Sequence, residues 1–392
     1  MVVKMYRPDL SRLENCMRRA MRGEEITIAF LGGSITQGSL ASEERNTYAY
    51  RVFSWWEKAF PKALFHYVNG GIGGTTSHYG AARAVTDVLM YQPDFVVVDF
   101  SVNDAVAEDE EAAFFQETYE GVLRRILRWP SAPAVLLLNN VYYDTGRNAQ
   151  EYHNAAGEWY RVPYVSIKDT VYRRMRAGEY TREELTPDGL HPNDKGHALV
   201  AAEITDCLDR VKARMTGFGN AGTKQARDIP ENNDIKQAHG VPEDRETTLP
   251  PPMTANAYEN ARRLTIREIS PALSGFRADT REKRGHLDHF KNGWIGKRPG
   301  DAIAFEVEAS CIAVQYRKTV MRPAVRAELI LDGDTEHRRM LDGNFEEDWG
   351  DCLYLEPVLH HGIRGKHTIE IVIPETESEK DTEFYLMALI IA

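Results

Sequence analysis

Through residue 215 the chain alternates short apolar runs lacking helical period with longer amphipathic stretches. Ile26–Leu31 reads as a buried strand of the parallel type, stopping at Gly32 and Gly33 with Ser34 next. Leu64–Val68 predicts a second strand, ending in Asn69-Gly-Gly-Ile-Gly-Gly-Thr-Thr76. Phe95–Phe100, Ala134–Asn139 and Tyr164–Ile167 predict three more. Helical spacing falls between them, at about residues 10–22, 48–60, 78–90, 110–129 and 149–161, with a last helix at 195–215. Strand–helix alternation of this kind predicts an α/β unit, a parallel sheet with helices on both faces.

Between about 216 and 257 the pattern dissolves into polar sequence with a triple proline, which predicts a linker. Beyond it, Ala302–Val307, Ile312–Tyr316, Ala327–Leu331, His367–Ile373 and Phe384–Ile391 are short β-type runs separated by turn signals such as Asp332-Gly-Asp and Asp342-Gly-Asn. They predict an antiparallel β-sandwich. The expected organisation is therefore an α/β domain at 1–215, a linker at 216–257 and a sandwich at 258–392.

Composition narrows the partners. A formal net charge of −11 argues against nucleic acid and anionic membrane surfaces, both of which demand basic patches. No apolar run approaches the ~20 residues of a membrane span. The first residues lack a signal-peptide pattern, and Cys16, Cys207, Cys311 and Cys352 lie far apart with no CxxC pair, so the expected location is the cytoplasm. A homodimer and a monomer both remain open.

Four polar motifs carry the chemistry. Ser34 follows two glycines at the carboxyl end of a strand, the edge where open α/β sheets place ligands. Asp188-Gly-Leu-His191 can fold so that the carboxylate holds one imidazole nitrogen while the other faces a serine. Gly74 and Asn103 end two further strands, and with the Ser34 backbone N–H they can surround an oxyanion. Each motif alone also fits a turn or a helix cap. The glycine loop touches a dinucleotide fingerprint, but Thr76 stands at its third glycine and Ser34 has no place in it.

Taken together, the motifs resemble the SGNH, or GDSL-type, hydrolases across about residues 24–212. The matching blocks are Gly32-Gly33-Ser34-Ile-Thr, Gly74, Ser101-Val-Asn103-Asp104 and Asp188-Gly-Leu-His191. Gly33 stands where the family usually has Asp, and Ser101 where it usually has Gly. The resemblance implies a flavodoxin-like three-layer α/β/α fold and a serine esterase without metal or cofactor. It implies Ser34, Asp188 and His191 as the catalytic residues and Ser34, Gly74 and Asn103 as oxyanion donors.

The substrate expectation leans to carbohydrate. No long apolar stretch near the motifs offers a fatty-acyl channel, and Trp294 and Trp349 lie in turn-like contexts suited to stacking on sugar rings. The order of domains is similar to that of bacterial two-domain acetylesterases acting on plant polysaccharides, including mannans. The expected substrate is an acetylated oligosaccharide, with Trp294 and the Glu346–Asp351 turn reaching over Ser34. A lysophospholipase or thioesterase on the same triad, or a carbohydrate-binding protein without activity, are the alternatives.

Overall fold

The computed structural model describes residues 6–105, 109–216, 249–378 and 380–392. Most of the expected linker thus lies outside the described residues. The first half runs α1 (Ser11–Met21), β1 (Glu25–Gly32), α2 (Ser34–Gln37), α3 (Tyr48–Ala59), β2 (Leu64–Gly71), α4 (Ser77–Asp87), β3 (Phe95–Asp99) and α5 (Asp109–Leu127). It continues with β4 (Ala134–Asn139), α6 (Gln150–Trp159), β5 (Tyr164–Ser166), α7 (Arg173–Arg176), α8 (Arg182–Leu185) and α9 (Asp194–Thr216). All five strands are parallel, in the order β2-β1-β3-β4-β5, which is the flavodoxin arrangement.

Register determines where the motifs meet. Gly32 at the end of β1 pairs with Gly71 of β2 on one side and Asp99 of β3 on the other. The loops carrying Ser34, Gly74 and Asn103 therefore leave the sheet at one level, on one rim. On one face of the sheet α1, α3 and α9 bury Ile28, Phe30, Trp56 and Leu208; on the other, α4 and α5 bury Leu31, Val98 and Leu123.

The second half consists of β6 (Arg262–Leu264), β7 (Ala272–Ser274), β8 (Arg277–Ala278), β9 (Trp294–Gly296), β10 (Ala302–Ala309), β11 (Ile312–Lys318), β12 (Arg326–Leu331), β13 (Arg339–Asp342), β14 (Cys352–Leu359), β15 (Gly365–Val372) and β16 (Phe384–Ile391). They form two sheets, β13-β12-β15-β10-β7 and β14-β11-β16-β9-β8, with β6 beside β16. The interior between the sheets holds Phe305, Val314, Leu329, Ile369 and Leu386.

The two halves share a core. The outer face of the second sheet, with Ile295, Ala313, Leu353, Tyr385 and Met387, belongs to the same buried cluster as Tyr79, Phe100 and Tyr119 of the α/β half. The stretch from Leu249 to Ala261 runs along α5: Glu120 accepts from the backbone N–H groups of Met253 (2.6 Å) and Thr254 (2.8 Å), and Arg124 pairs with Glu259 at 2.7 Å. The triple proline belongs to this packed stretch; Arg124 and Trp159 donate to the carbonyls of Pro250 and Pro251.

Candidate active site

Ser34 opens α2 directly after Gly33 and is 8% exposed. The chain can enter this turn only because its neighbours leave room. A Cβ on Gly71 would lie 2.2 Å from the Gln37 backbone nitrogen, so β2 runs hard against α2. Asn69 fastens the same junction, donating to the Thr36 carbonyl at 2.9 Å and accepting from Gly71 N–H at 2.9 Å. Gln37 accepts from Gly73 N–H at 2.6 Å and brings the second glycine loop beside the serine.

His191 reaches the rim from the loop before α9. Its Nε2 lies 2.8 Å from Ser34 Oγ and its Nδ1 2.7 Å from Asp188 Oδ2. The other Asp188 oxygen accepts from the backbone N–H groups of Leu190 (2.9 Å) and His191 (2.8 Å) and from the Thr186 hydroxyl (3.0 Å). Burial pushes the Asp188 carboxyl up, but the His191 ring and the two amides outweigh it and hold the group below the usual carboxylate range. A second histidine, His197, follows six residues after His191, and the structure separates the two. His197 is buried, accepts from Tyr48 N–H at 3.2 Å, and is pushed down to about 4 by burial; its role is packing.

Asn103 lies against Gly33. A Cβ on Gly33 would fall 2.1 Å from Asn103 Oδ1 and 2.9 Å from its Cγ, so with Asn103 in this position a side chain at residue 33 has no space. Gly74 has a φ of +67°, the left-handed region where glycine is unstrained. Asp104 serves the fold: it accepts from Ser77 N–H at 2.9 Å, capping α4, and meets the buried His153 at 3.0 Å.

Beneath the serine turn sits a polar cluster that the motif reading passed over. Asp99 is 2% exposed and accepts from Asn140 (2.8 Å), Ser101 (3.2 Å) and Thr36 (3.3 Å). Burial pushes its carboxyl up to about 6 despite those donors. The serine at residue 101, unusual for the motif, thus supplies a hydroxyl to a buried acid. Arg83 was equally hidden. It is 1% exposed, stacks on Tyr79 and Phe100, and donates to the carbonyls of Gly32 (2.8 Å) and Gly70, tying the ends of β1 and β2 together. A lone arginine in the apolar stretch Ala81-Ala-Arg-Ala84 is the signal that could have marked it.

The two tryptophans part company. Trp294 is 1% exposed and packs edge-on against Phe305 inside the sandwich, so it cannot meet a sugar; burial between two sheets overrides its turn-like sequence context. Trp349 is 56% exposed, and its Cη2 lies 3.7 Å from where a Gly74 Cβ would stand. The turn from Glu346 to Asp351 therefore reaches the catalytic rim from the second half of the chain. Nearby, a cleft of about 360 Å³ is lined by Gln37, Glu43, Glu44, Asn69 and, from the second half, His286 and Leu287.

Residues 30–199 match the GDSL-like Lipase/Acylhydrolase family. The chain is similar to a two-domain esterase (CEX) active on acetylated mannans, solved with mannopentaose. Identity is 44%, covering 98% of this chain and 95% of that one, with a TM-score of 0.86. A second structure of such an esterase gives 45% identity over 98% of this chain and 96% of that one, also at TM-score 0.86. An acetylxylan esterase of Geobacillus stearothermophilus is 24% identical over 203 residues, 46% of this chain and 92% of that protein.

Proposed function

The chain belongs to the GDSL-like, or SGNH, hydrolase family, and on that premise we propose that it is a serine esterase removing acetyl groups from manno-oligosaccharides. The observation that carries the chemistry is the unbroken line Asp188–His191–Ser34, with contacts of 2.7 and 2.8 Å. The similarity to an esterase active on acetylated mannans along nearly the whole of both chains supports the substrate.

Ser34 Oγ attacks the acetyl carbonyl while His191 Nε2 takes its proton. Asp188, ionised and oriented by its own loop amides, keeps the Nδ1–H toward itself and stabilises the imidazolium. The carbonyl oxygen gathers negative charge against the N–H groups of Ser34 and Gly74 and the Asn103 amide. His191 returns the proton to the departing sugar oxygen, and water repeats the route in reverse on the acetyl-enzyme. The cleft beside Gln37 carries the Glu43 and Glu44 carboxylates, which offer acceptors for hydroxyls. Trp349, exposed and standing at Gly74, offers an aromatic surface on the same rim.

Mass spectrometry of acetylated manno-oligosaccharides tests the reading: the protein should strip acetyl groups and Ser34→Ala should strip none. Trp349→Ala should lower kcat/KM on the oligosaccharide about two- to tenfold, the scale of one lost aromatic contact, and leave p-nitrophenyl acetate nearly unaffected. Rates that rise with acyl chains beyond four carbons would favour the lipid or thioester alternative.

A further inference from the structure

Where α5 meets the turn between β14 and β15, two consecutive imidazoles face one buried carboxylate. Glu117 is 4% exposed. Its Oε1 accepts from Ala257 N–H at 2.8 Å, while its Oε2 lies 2.8 Å from His361 Nε2 and 3.8 Å from His360 Nε2. In an extended strand neighbouring side chains point to opposite faces. His361 breaks that alternation with a φ of +52°, rare outside glycine, and the two rings end with centroids 4.2 Å apart.

A hydrogen bond to Glu117 accounts for His361 but not for His360, whose Nε2 is beyond bonding distance of the carboxylate. His360 is nonetheless held in place: its Nδ1 lies 2.9 Å from the Tyr258 hydroxyl. With Nδ1–H donating to that oxygen, the Nε2 lone pair faces Glu117. Glu117, too, has its remaining oxygen held by the Ala257 N–H, so two of the three groups have their outward atoms fixed as metal ligands do.

We propose that Glu117, His360 and His361 bind a divalent cation of the zinc class across the seam between the two halves of the chain. Ligand atoms about 2.0–2.2 Å from a tetrahedral cation stand about 3.3–3.6 Å apart. The separations from Glu117, 2.8 and 3.8 Å, bracket that range, and all three ligand atoms lie within 4.8 Å of one another, so modest side-chain shifts seat the ion. Two imidazoles and one carboxylate suit zinc and its transition-metal neighbours; calcium and magnesium prefer all-oxygen sites. The cation would brace α5 against the sandwich.

The full chain, stripped with EDTA and dialysed, is titrated with ZnCl2, passed over a desalting column and assayed for metal. One zinc per chain and a raised melting midpoint, neither reproduced by CaCl2 or MgCl2, are expected. Glu117→Gln and the double variant His360→Ala/His361→Ala should weaken zinc binding at least about tenfold and lose the midpoint shift. His337→Ala, which removes the imidazole of the exposed Asp334–His337 pair, should bind as before. The two imidazole side chains are 37% and 43% exposed, so truncating them spares the core and keeps the test decisive if Glu117→Gln misfolds. No zinc retained by the unmodified chain, or equal affinity in the double histidine variant, overturns the site. Metal content and melting are read without turnover, so this outcome is separate from that of the esterase reading.

Discussion

Gly33→Ala isolates the oxyanion donor from the fold. The residue's φ of −87° is open to any amino acid, so what excludes a side chain is space and not strain. The added methyl would stand 2.1 Å from Asn103 Oδ1 and 2.9 Å from its Cγ, and the amide must retreat by roughly an ångström. The colliding group is the free end of a side chain, so the fold gives way easily there and stability should change by less than about 1 kcal/mol. Catalysis has no such tolerance. An ångström of misplacement costs about 10²-fold, and loss of one oxyanion donor costs about 10²–10³ in kcat, roughly 2.7–4 kcal/mol. Steady-state hydrolysis of p-nitrophenyl acetate should therefore show kcat down about 10²-fold or more with KM little changed, because the amide meets charge that exists only in the transition state. Asn103→Ala should fall as far, and Gly33→Ala/Asn103→Ala no further, since the second change removes the group the first displaces. Full additivity, or a Gly33→Ala enzyme within threefold of the unmodified one, would refute the assignment of Asn103.

Asp188→Asn should cost less in kcat than His191→Ala, because the Asp188 loop amides still shape the turn; equal losses in the same assay would contradict that. Asp99 adds a pH dependence to stability. A carboxyl whose folded pKa lies above its unfolded one favours the fold while protonated, so this contribution is complete below about 4 and is lost as pH rises through about 6. Urea unfolding from pH 4 to 7 should show a component declining by up to about 1.4 kcal/mol per pH unit that Asp99→Asn removes; superimposable slopes would sink the idea. Truncation after Met215 should yield insoluble protein, because it strips Tyr258, Ile295, Leu353, Tyr385 and Met387 from the shared core, each worth roughly 1.5–3 kcal/mol. A soluble, active fragment would show that the α/β half does not need the sandwich.

The α/β half was legible because its signals are local. Apolar runs such as Phe95–Phe100 are buried on both faces of a parallel sheet, and period and strand spacing alone imply the layers. The meeting of Ser34 with the Asp188–His191 loop was equally readable as a motif, since each occupies a strand end or a tight loop whose geometry its own glycines, aspartates and asparagines dictate. In the sandwich five of eleven strands were seen; β14 was missed, since Glu356 and Pro357 interrupt its apolar run, β13, since Arg339-Met-Leu-Asp342 is charged at both ends, and β6 to β9, at two or three residues each, are too short to show a period. One trace of the docked domains did lie in the sequence: β16, Phe-Tyr-Leu-Met-Ala-Leu-Ile-Ile, has no polar face because Phe384 and Leu386 fill the sandwich while Tyr385 and Met387 fill the seam. What only the tertiary structure decided were the contacts between residues far apart in the chain. Register set Gly32 beside Gly71 and Asp99, packing took Trp294 inside and left Trp349 at Gly74, and docking of β14's turn on α5 brought His360 and His361 to Glu117. Sequence pattern records which face of an element is apolar; which other face covers it depends on the shape and register of the whole molecule.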